Sequence, residues 1–327
     1  MSRDKVFATR QMPGATLERL AQHCELEIWG DFLPPDYEII YDKMPDLTGL
    51  LCLLTDRIDP PLMDAGANLK VISNMAVGFD NIDVAAASQR GIPVGNTPGV
   101  LNETTADFAF ALLMAVARRI PEGRQYVQDG KWRTWHPTVL AGQDVFGATL
   151  GIVGSGRIGA AVARRAKGFN MRLLVNSLET EEEIRQLGGE KVSLDDLLAQ
   201  SDFVSMHVPL TDETHHMISE RELALMKSTA ILINTARGSV LDPKALFAAL
   251  RDGQILAAGL DVTDPEPIAL DDPLLTLDNC LIVPHIASAS VATRTKMAEM
   301  AVDNVIAGLR GERLPTCANP EVYERSE

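Results

Sequence analysis

The stretch TLGIVGSGRIGAAVARRAKGF, residues 149–169, constrains the fold more than any other part of the chain. Five residues of strand character run into Gly154, Gly156 and Gly159, and an alanine-rich helical segment follows. A strand that enters a helix through three glycines so spaced is a βα unit. The first glycine permits the tight turn, the second lets backbone approach a pyrophosphate, and the third allows the helix to pack closely. The beat then continues: RLLVN, FVSMH, AILIN, LAAGL and CLIV recur with helical segments between them. Six continuous apolar strands separated by helices suit a parallel sheet covered on both faces, of the doubly wound nucleotide-binding kind.

Earlier in the chain, VFAT (6–9), LLCLL (50–54) and VISN (71–74) read as strands of another such sheet. Two long helical stretches, about 103–119 and 291–309, read as the connections by which the chain leaves and re-enters this first domain. The expected architecture is α/β with two doubly wound parallel sheets. A dinucleotide-binding Rossmann domain (101–286) is inserted in a discontinuous, flavodoxin-like substrate domain (1–100 and 287–327). Local start signals agree: Ser219 with Glu222 has the capping-box spacing, Asp242 followed by Pro243 marks a helix start, and Gly253 its end. The first long helix is apolar on nearly every face, which implies burial, and Pro121 is expected to stop it.

Charge narrows the partners. Thirty basic against 45 acidic side chains leave a formal charge of −15, which repels nucleic acid and anionic membranes. A small anionic substrate would need a local positive site. Cys24, Cys52, Cys280 and Cys317 form no CxxC pair, so neither a zinc site nor a disulfide framework is expected, and a reducing cytoplasm fits. The start MSRDKVFATR lacks an apolar core, and FAFALLMAVA (108–117) is too short to span a bilayer.

In the glycine turn, Ser155, Arg157 and Ile158 complete the candidate dinucleotide contacts. The following strand, MRLLVN, would end in an acidic residue if the adenosine ribose were held through its hydroxyls; Ser177 stands there instead. That leans toward NADP. Yet no arginine follows, and Glu179 and Glu181 to Glu183 make the neighbourhood acidic; Arg157 in the glycine turn is the other cation that could meet a 2′-phosphate, and NAD stays open.

Arg237 follows the fourth strand of this block, Glu266 the fifth and His285 the sixth, all at the carboxyl edge where open parallel sheets bind ligands. Reduction of a 2-keto acid needs a cation for the carboxylate and a proton donor for the carbonyl oxygen. The Arg237 fork suits the first. His285 suits the second, with Glu266 stabilising the protonated imidazole. Asp261, just after its strand, is a candidate for the nicotinamide carboxamide. His207 is expected to be structural or to lie beside the cofactor.

Together GSGRIG, NTARGSVLD, GLDVTDPEP and PHIASAS resemble the D-isomer-specific 2-hydroxyacid dehydrogenases, over nearly the whole chain. AVGFDNIDV, NTPGVLNETTADFAFALL and NVIAGLRGE are similar to the glyoxylate and hydroxypyruvate reductases of that family. The resemblance implies a homodimer, NAD(P)H-dependent reduction of a small 2-keto acid, and the Arg237, Glu266 and His285 roles above. It also implies substrate contacts at Val77 and Gly78, with Trp135 reaching the pocket of a neighbouring subunit. Further implied cofactor contacts are Thr105, Val208 and Pro209 in the 207–211 loop, and Thr235. Ala287 departs from the family's usual glycine. Val77 is not the lysine of the phosphite-oxidising branch, and Glu266 is not the glutamine of the formate dehydrogenases. A dinucleotide-sensing corepressor on the same scaffold is the alternative reading.

Overall fold

The computed structural model describes residues 3–326. It divides into two compact units, one made of the chain up to Leu101 with the segment from Ala289 onward, the other of Asn102–Ser288.

The first unit holds a five-stranded sheet, β1 (Lys5–Ala8), β2 (Glu25–Ile28), β3 (Gly49–Cys52), β4 (Val71–Asn74) and β5 (Val94–Gly95). The order is β2-β1-β3-β4-β5 and every pairing is parallel. This is the doubly wound order in which the chain reverses direction between the first and third strands, leaving a crevice at their carboxyl ends. β3 and β4 are buried along their whole length, as strands covered on both faces must be. The helix Val291–Leu309 returns to cover one face, packed on β3 and β4. Ser290 caps it, its side chain accepting from the Thr293 amide. Gly308 explains how close it comes: a Cβ there would lie 2.4 Å from Cβ of Val71.

The second unit holds seven parallel strands: β6 (Thr149–Val153), β7 (Arg172–Asn176), β8 (Glu190–Lys191), β9 (Phe203–Met206), β10 (Ile231–Asn234), β11 (Ala257–Leu260) and β12 (Cys280–Ile282). Their order is β12-β11-β10-β9-β6-β7-β8. Alternate residues of one strand enter opposite cores. Ile152, Ile231 and Ile233 join Phe110, Leu113 and Val162 on one side. Val153 and Leu232 join Leu197, Met206 and Leu246 on the other. Two apolar faces per strand are the reason these runs lack polar alternation.

The helix Asn102–Ala117 lies on the first of these faces, against β10, β11 and the helix Arg157–Gly168. It ends before the proline expected to stop it: Arg119 takes a left-handed conformation, φ 53°, and Pro121 opens a new helix, Ile120–Gln128. Proline at a first turn loses no intrahelical bond, because that amide has no acceptor there in any case. Three short strands were not legible: β5 and β8 have two residues each, and the edge strand β2 (ELEI) is half polar. Asp242 caps Pro243–Arg251, accepting from the Lys244 and Ala245 amides, while Glu222 accepts from the Ser219 amide at 3.1 Å. Among the described residues, no helix is long and apolar enough to cross a membrane.

Candidate active site

The glycine turn after β6 has the geometry its three glycines imply. Gly154 sits at φ 89°, and a Cβ on it would lie 2.9 Å from the His207 carbonyl oxygen. A Cβ on Gly159 would fall 2.0 Å from the Gly154 carbonyl oxygen, so the helix Arg157–Gly168 abuts its own strand. Gly156, at the helix start, instead faces open space and brings no side chain to cap the helix amides. An uncapped helix N-terminus facing open space is what a pyrophosphate requires. Ser155 is buried, whereas Arg157 is exposed and Ile158 half-buried.

Of the other expected cofactor contacts, the structure sets Val208 beside this turn. Val208 is half-buried beside Gly154, its Cγ1 2.9 Å from where a glycine Cβ would be, and Pro209 is exposed. Thr235 follows β10 and is buried, and its hydroxyl has no hydrogen-bond partner among the described residues. A buried hydroxyl left unsatisfied is unusual and fits a ligand that completes it. Thr105 is buried in the first turn of the Asn102–Ala117 helix.

Ser177, at the end of β7, accepts from the Ser155 amide at 2.9 Å. Its hydroxyl donates to Glu179, and the Ser155 hydroxyl donates to the same Glu179 oxygen, Oε2, at 3.1 Å. These bonds, the Ser177 hydroxyl first, hold the Glu179 carboxyl below its ordinary range. In sequence Glu179 was only one acid in an acidic stretch. Folding selects it and sets it against the glycine turn.

The catalytic candidates follow β10, β11 and β12, three neighbouring strands, so their loops share one stretch of the sheet's carboxyl edge. Buried Asn234 braces the first loop: its amide donates to the Arg237 carbonyl at 2.8 Å and its side-chain oxygen accepts from the Ala236 amide at 2.9 Å. Gly238 brings that loop onto the next, because a Cβ there would lie 1.9 Å from the Thr263 carbonyl oxygen. Arg237 and Glu266 are therefore carried by loops whose backbones touch. Glu266 stands between Pro265 and Pro267, both preceded by cis peptide bonds.

His285 has φ 51°, a left-handed conformation that costs a residue with a Cβ on the order of 1 kcal/mol or more. Asp261 holds it there. The Asp261 carbonyl accepts from the His285 amide at 2.9 Å, and its carboxylate accepts from the Ile286 and Ala287 amides at 2.7 and 2.9 Å. Burial pushes the Asp261 carboxyl above its ordinary range, against the two amides that pull it down. Its expected carboxamide contact thus shares the side chain with a structural task. Ala287, the departure noted in the sequence, is buried and contributes one of these amides. The His285 Nδ1 lies 2.5 Å from Glu266 Oε1, and the two side chains are 25% and 32% exposed. An imidazole paired with a carboxylate through Nδ1 is positioned to exchange a proton through Nε2.

Val77 and Gly78 lie in the first unit, in the loop after β4. Their carbonyls accept from the Asn96 and Asn74 side-chain amides at 2.9 and 3.0 Å, which fixes the loop. Trp135 belongs to the second unit and is 81% exposed. Among the described residues no cluster of histidine, cysteine, aspartate and glutamate could hold a metal. The four cysteines are unpaired.

Comparison with known proteins gives these features a context. The family model described as "D-isomer specific 2-hydroxyacid dehydrogenase, NAD binding domain" matches residues 110–287. A glyoxylate reductase of Korarchaeum cryptofilum is 55% identical over 322 residues, 98% of this chain and 97% of that protein. Another from Pyrococcus horikoshii is 48% identical over 325 residues, 98% and 97% of the two chains. Among solved structures, an NADPH-dependent glyoxylate/hydroxypyruvate reductase of Sinorhizobium meliloti, in complex with NADP and malonate, superposes with a TM-score of 0.87 at 33% identity, covering 98% of each chain. The glycine turn, the paired parallel sheets and these relatives agree: the chain belongs to the D-isomer-specific 2-hydroxyacid dehydrogenases, an NAD(P)-dependent dehydrogenase similar to the glyoxylate reductases.

Proposed function

We propose that this protein reduces a small 2-keto acid, glyoxylate or hydroxypyruvate, to the corresponding D-2-hydroxy acid, glycolate itself being achiral. The observation that carries this reading is the His285–Glu266 pair, 2.5 Å apart, with the Glu266 loop packed against that of Arg237. Curated relatives 46% to 55% identical to this chain carry the name glyoxylate reductase, which supports the same substrate class.

When bound, the reduced nicotinamide supplies a hydride to the carbonyl carbon. Gly154 to Gly159 and Thr235 would hold the dinucleotide, with Thr105, Val208 and Pro209 alongside. Arg237 binds the substrate carboxylate through its planar fork and polarises the adjacent carbonyl. His285 donates the proton to the carbonyl oxygen, and Glu266 stabilises the imidazolium beforehand. Asp261 keeps His285 in its left-handed conformation and contacts the carboxamide. Amides of Val77 and Gly78 bind the substrate carboxylate. The protein acts as a cytoplasmic homodimer, with Trp135 of one subunit shaping the pocket of the other; its high exposure is consistent with a partner.

Loss of the reduced-nicotinamide absorbance is followed with glyoxylate, hydroxypyruvate and pyruvate. Turnover of the first or second supports the proposal. Dinucleotide binding without turnover of any of the three would overturn it in favour of a sensing protein.

A further inference from the structure

We infer that Glu179 is the residue that selects the dinucleotide, and that this protein prefers NADH to NADPH. The inference deepens the reading of the cofactor site and rests on it. Dinucleotide-binding folds of this kind hold the adenosine ribose through an acidic residue about twenty positions beyond the glycine turn, and admit a 2′-phosphate only where that acid is missing and a cation replaces it. In sequence the acid is absent at the end of β7, where Ser177 stands. In the structure, Glu179 takes over from two positions further on.

Three observations place it there. Both hydroxyls that bind Glu179 belong to the cofactor site: Ser155 lies between the first two glycines, and Ser177 accepts from the Ser155 amide. Both bond the same oxygen, Oε2, whereas a carboxylate has lone pairs on two, so Oε1 retains acceptor capacity for a ribose diol. The Glu179 backbone is also tied down, its carbonyl accepting from Lys191 Nζ at 2.6 Å. Lys191, on β8, thereby orders the backbone of the selecting residue.

The surroundings reinforce the choice. Thr180 caps the helix Glu181–Gln186, whose first turn holds Glu181, Glu182 and Glu183. A doubly charged phosphate beside Ser177 would therefore meet Glu179 and the field of three further carboxylates. Leu178, between Ser177 and Glu179, is 101% exposed. An apolar side chain there offers a surface to an adenine ring and no charge to a phosphate. The inference runs against the lean toward NADP drawn from Ser177.

Dissociation constants of NADH and NADPH for the full chain, by quenching of protein fluorescence without substrate, test the inference. NADH should bind at least about tenfold tighter than NADPH, the scale of a hydrogen bond to a charged group gained by one and a repulsion met by the other. Glu179→Gln keeps the shape and removes the charge; it should weaken NADH, strengthen NADPH and shrink their ratio at least about fivefold. Equal or tighter NADPH binding to the unmodified protein overturns the inference, as does a ratio that Glu179→Gln leaves unmoved. If NADH binds selectively but no keto acid is reduced, the proposed function fails while this inference stands. If neither dinucleotide binds, both fail.

Discussion

Replacing Glu266 by glutamine keeps the shape beside His285 and removes the charge, which isolates what the carboxylate contributes. At 2.5 Å the Nδ1 and Oε1 atoms are in hydrogen-bond contact, and a bond from an imidazolium to a carboxylate is charge-assisted. Such bonds contribute about 1.5–3 kcal/mol. With the side chains 25% and 32% exposed, water reaches both groups, and the lower part of that range applies. A loss of about 1.5–2 kcal/mol at the transition state is roughly a 10- to 30-fold fall in kcat, since each 1.36 kcal/mol is tenfold. The KM for glyoxylate should change little, because Arg237 holds the carboxylate in either variant. His285→Ala should fall further, by about 10²-fold or more, the scale of a lost general acid. The combined variant then separates mechanisms. If Glu266 acts only through the imidazole, adding Glu266→Gln to His285→Ala costs nothing more, because the charge has nothing left to stabilise. Steady-state kinetics at saturating dinucleotide read all three. A double variant about tenfold below His285→Ala, or a Glu266→Gln enzyme with normal kcat, would refute the reasoning.

Three further outcomes follow from named contacts. Arg237→Lys keeps a positive charge but loses the planar fork, so kcat/KM for the keto acid should drop by about 10²-fold or more; near-normal efficiency would remove Arg237 from the site. Gly238→Ala forces a methyl group to within 1.9 Å of the Thr263 carbonyl, so the two loops must part. The cost of about 1–3 kcal/mol should lower the thermal midpoint by a few degrees and raise the keto-acid KM, and no change in either measurement would contradict the packing. His207, bonded to the Ser205 hydroxyl at 2.8 Å, has its imidazole pushed by desolvation down to about 4. Below about pH 6.5 the unfolded chain takes up a proton there that the folded one refuses, so stability falls as pH drops from 6.5 toward 4, by up to about 1.4 kcal/mol per unit. Urea unfolding across that range should show a shallower fall in His207→Asn; parallel profiles would count against it.

What the sequence determined by itself was whatever depends on neighbours along the chain. The glycine turn, the apolar runs of β6, β7 and β4, the cap at Asp242 and the helix at 291–309 all follow from backbone conformation, hydrogen-bond period and alternation of burial. Those are local rules, and each is written within about twenty residues. Even there the reading weakens where a strand is short: β5, β8 and β2 carry too few apolar side chains to announce themselves. The carboxyl-edge placement of Arg237, Glu266 and His285 could be anticipated because each follows a strand. Their chemistry called for Glu266 beside His285; what brings them together, β10, β11 and β12 being neighbours and Gly238 meeting Thr263, only the fold decides. Asp261 reads in sequence as a cofactor contact, and only the fold shows it clamping the His285 turn through two amides. Glu179 is the clearest case. Its partners come from two separate turns, after β6 and after β7, and nothing in its own stretch distinguishes it from Glu181, Glu182 or Glu183. A side chain acquires its chemistry from what packing brings beside it, and segments far apart in the chain meet only once the sheet has been assembled.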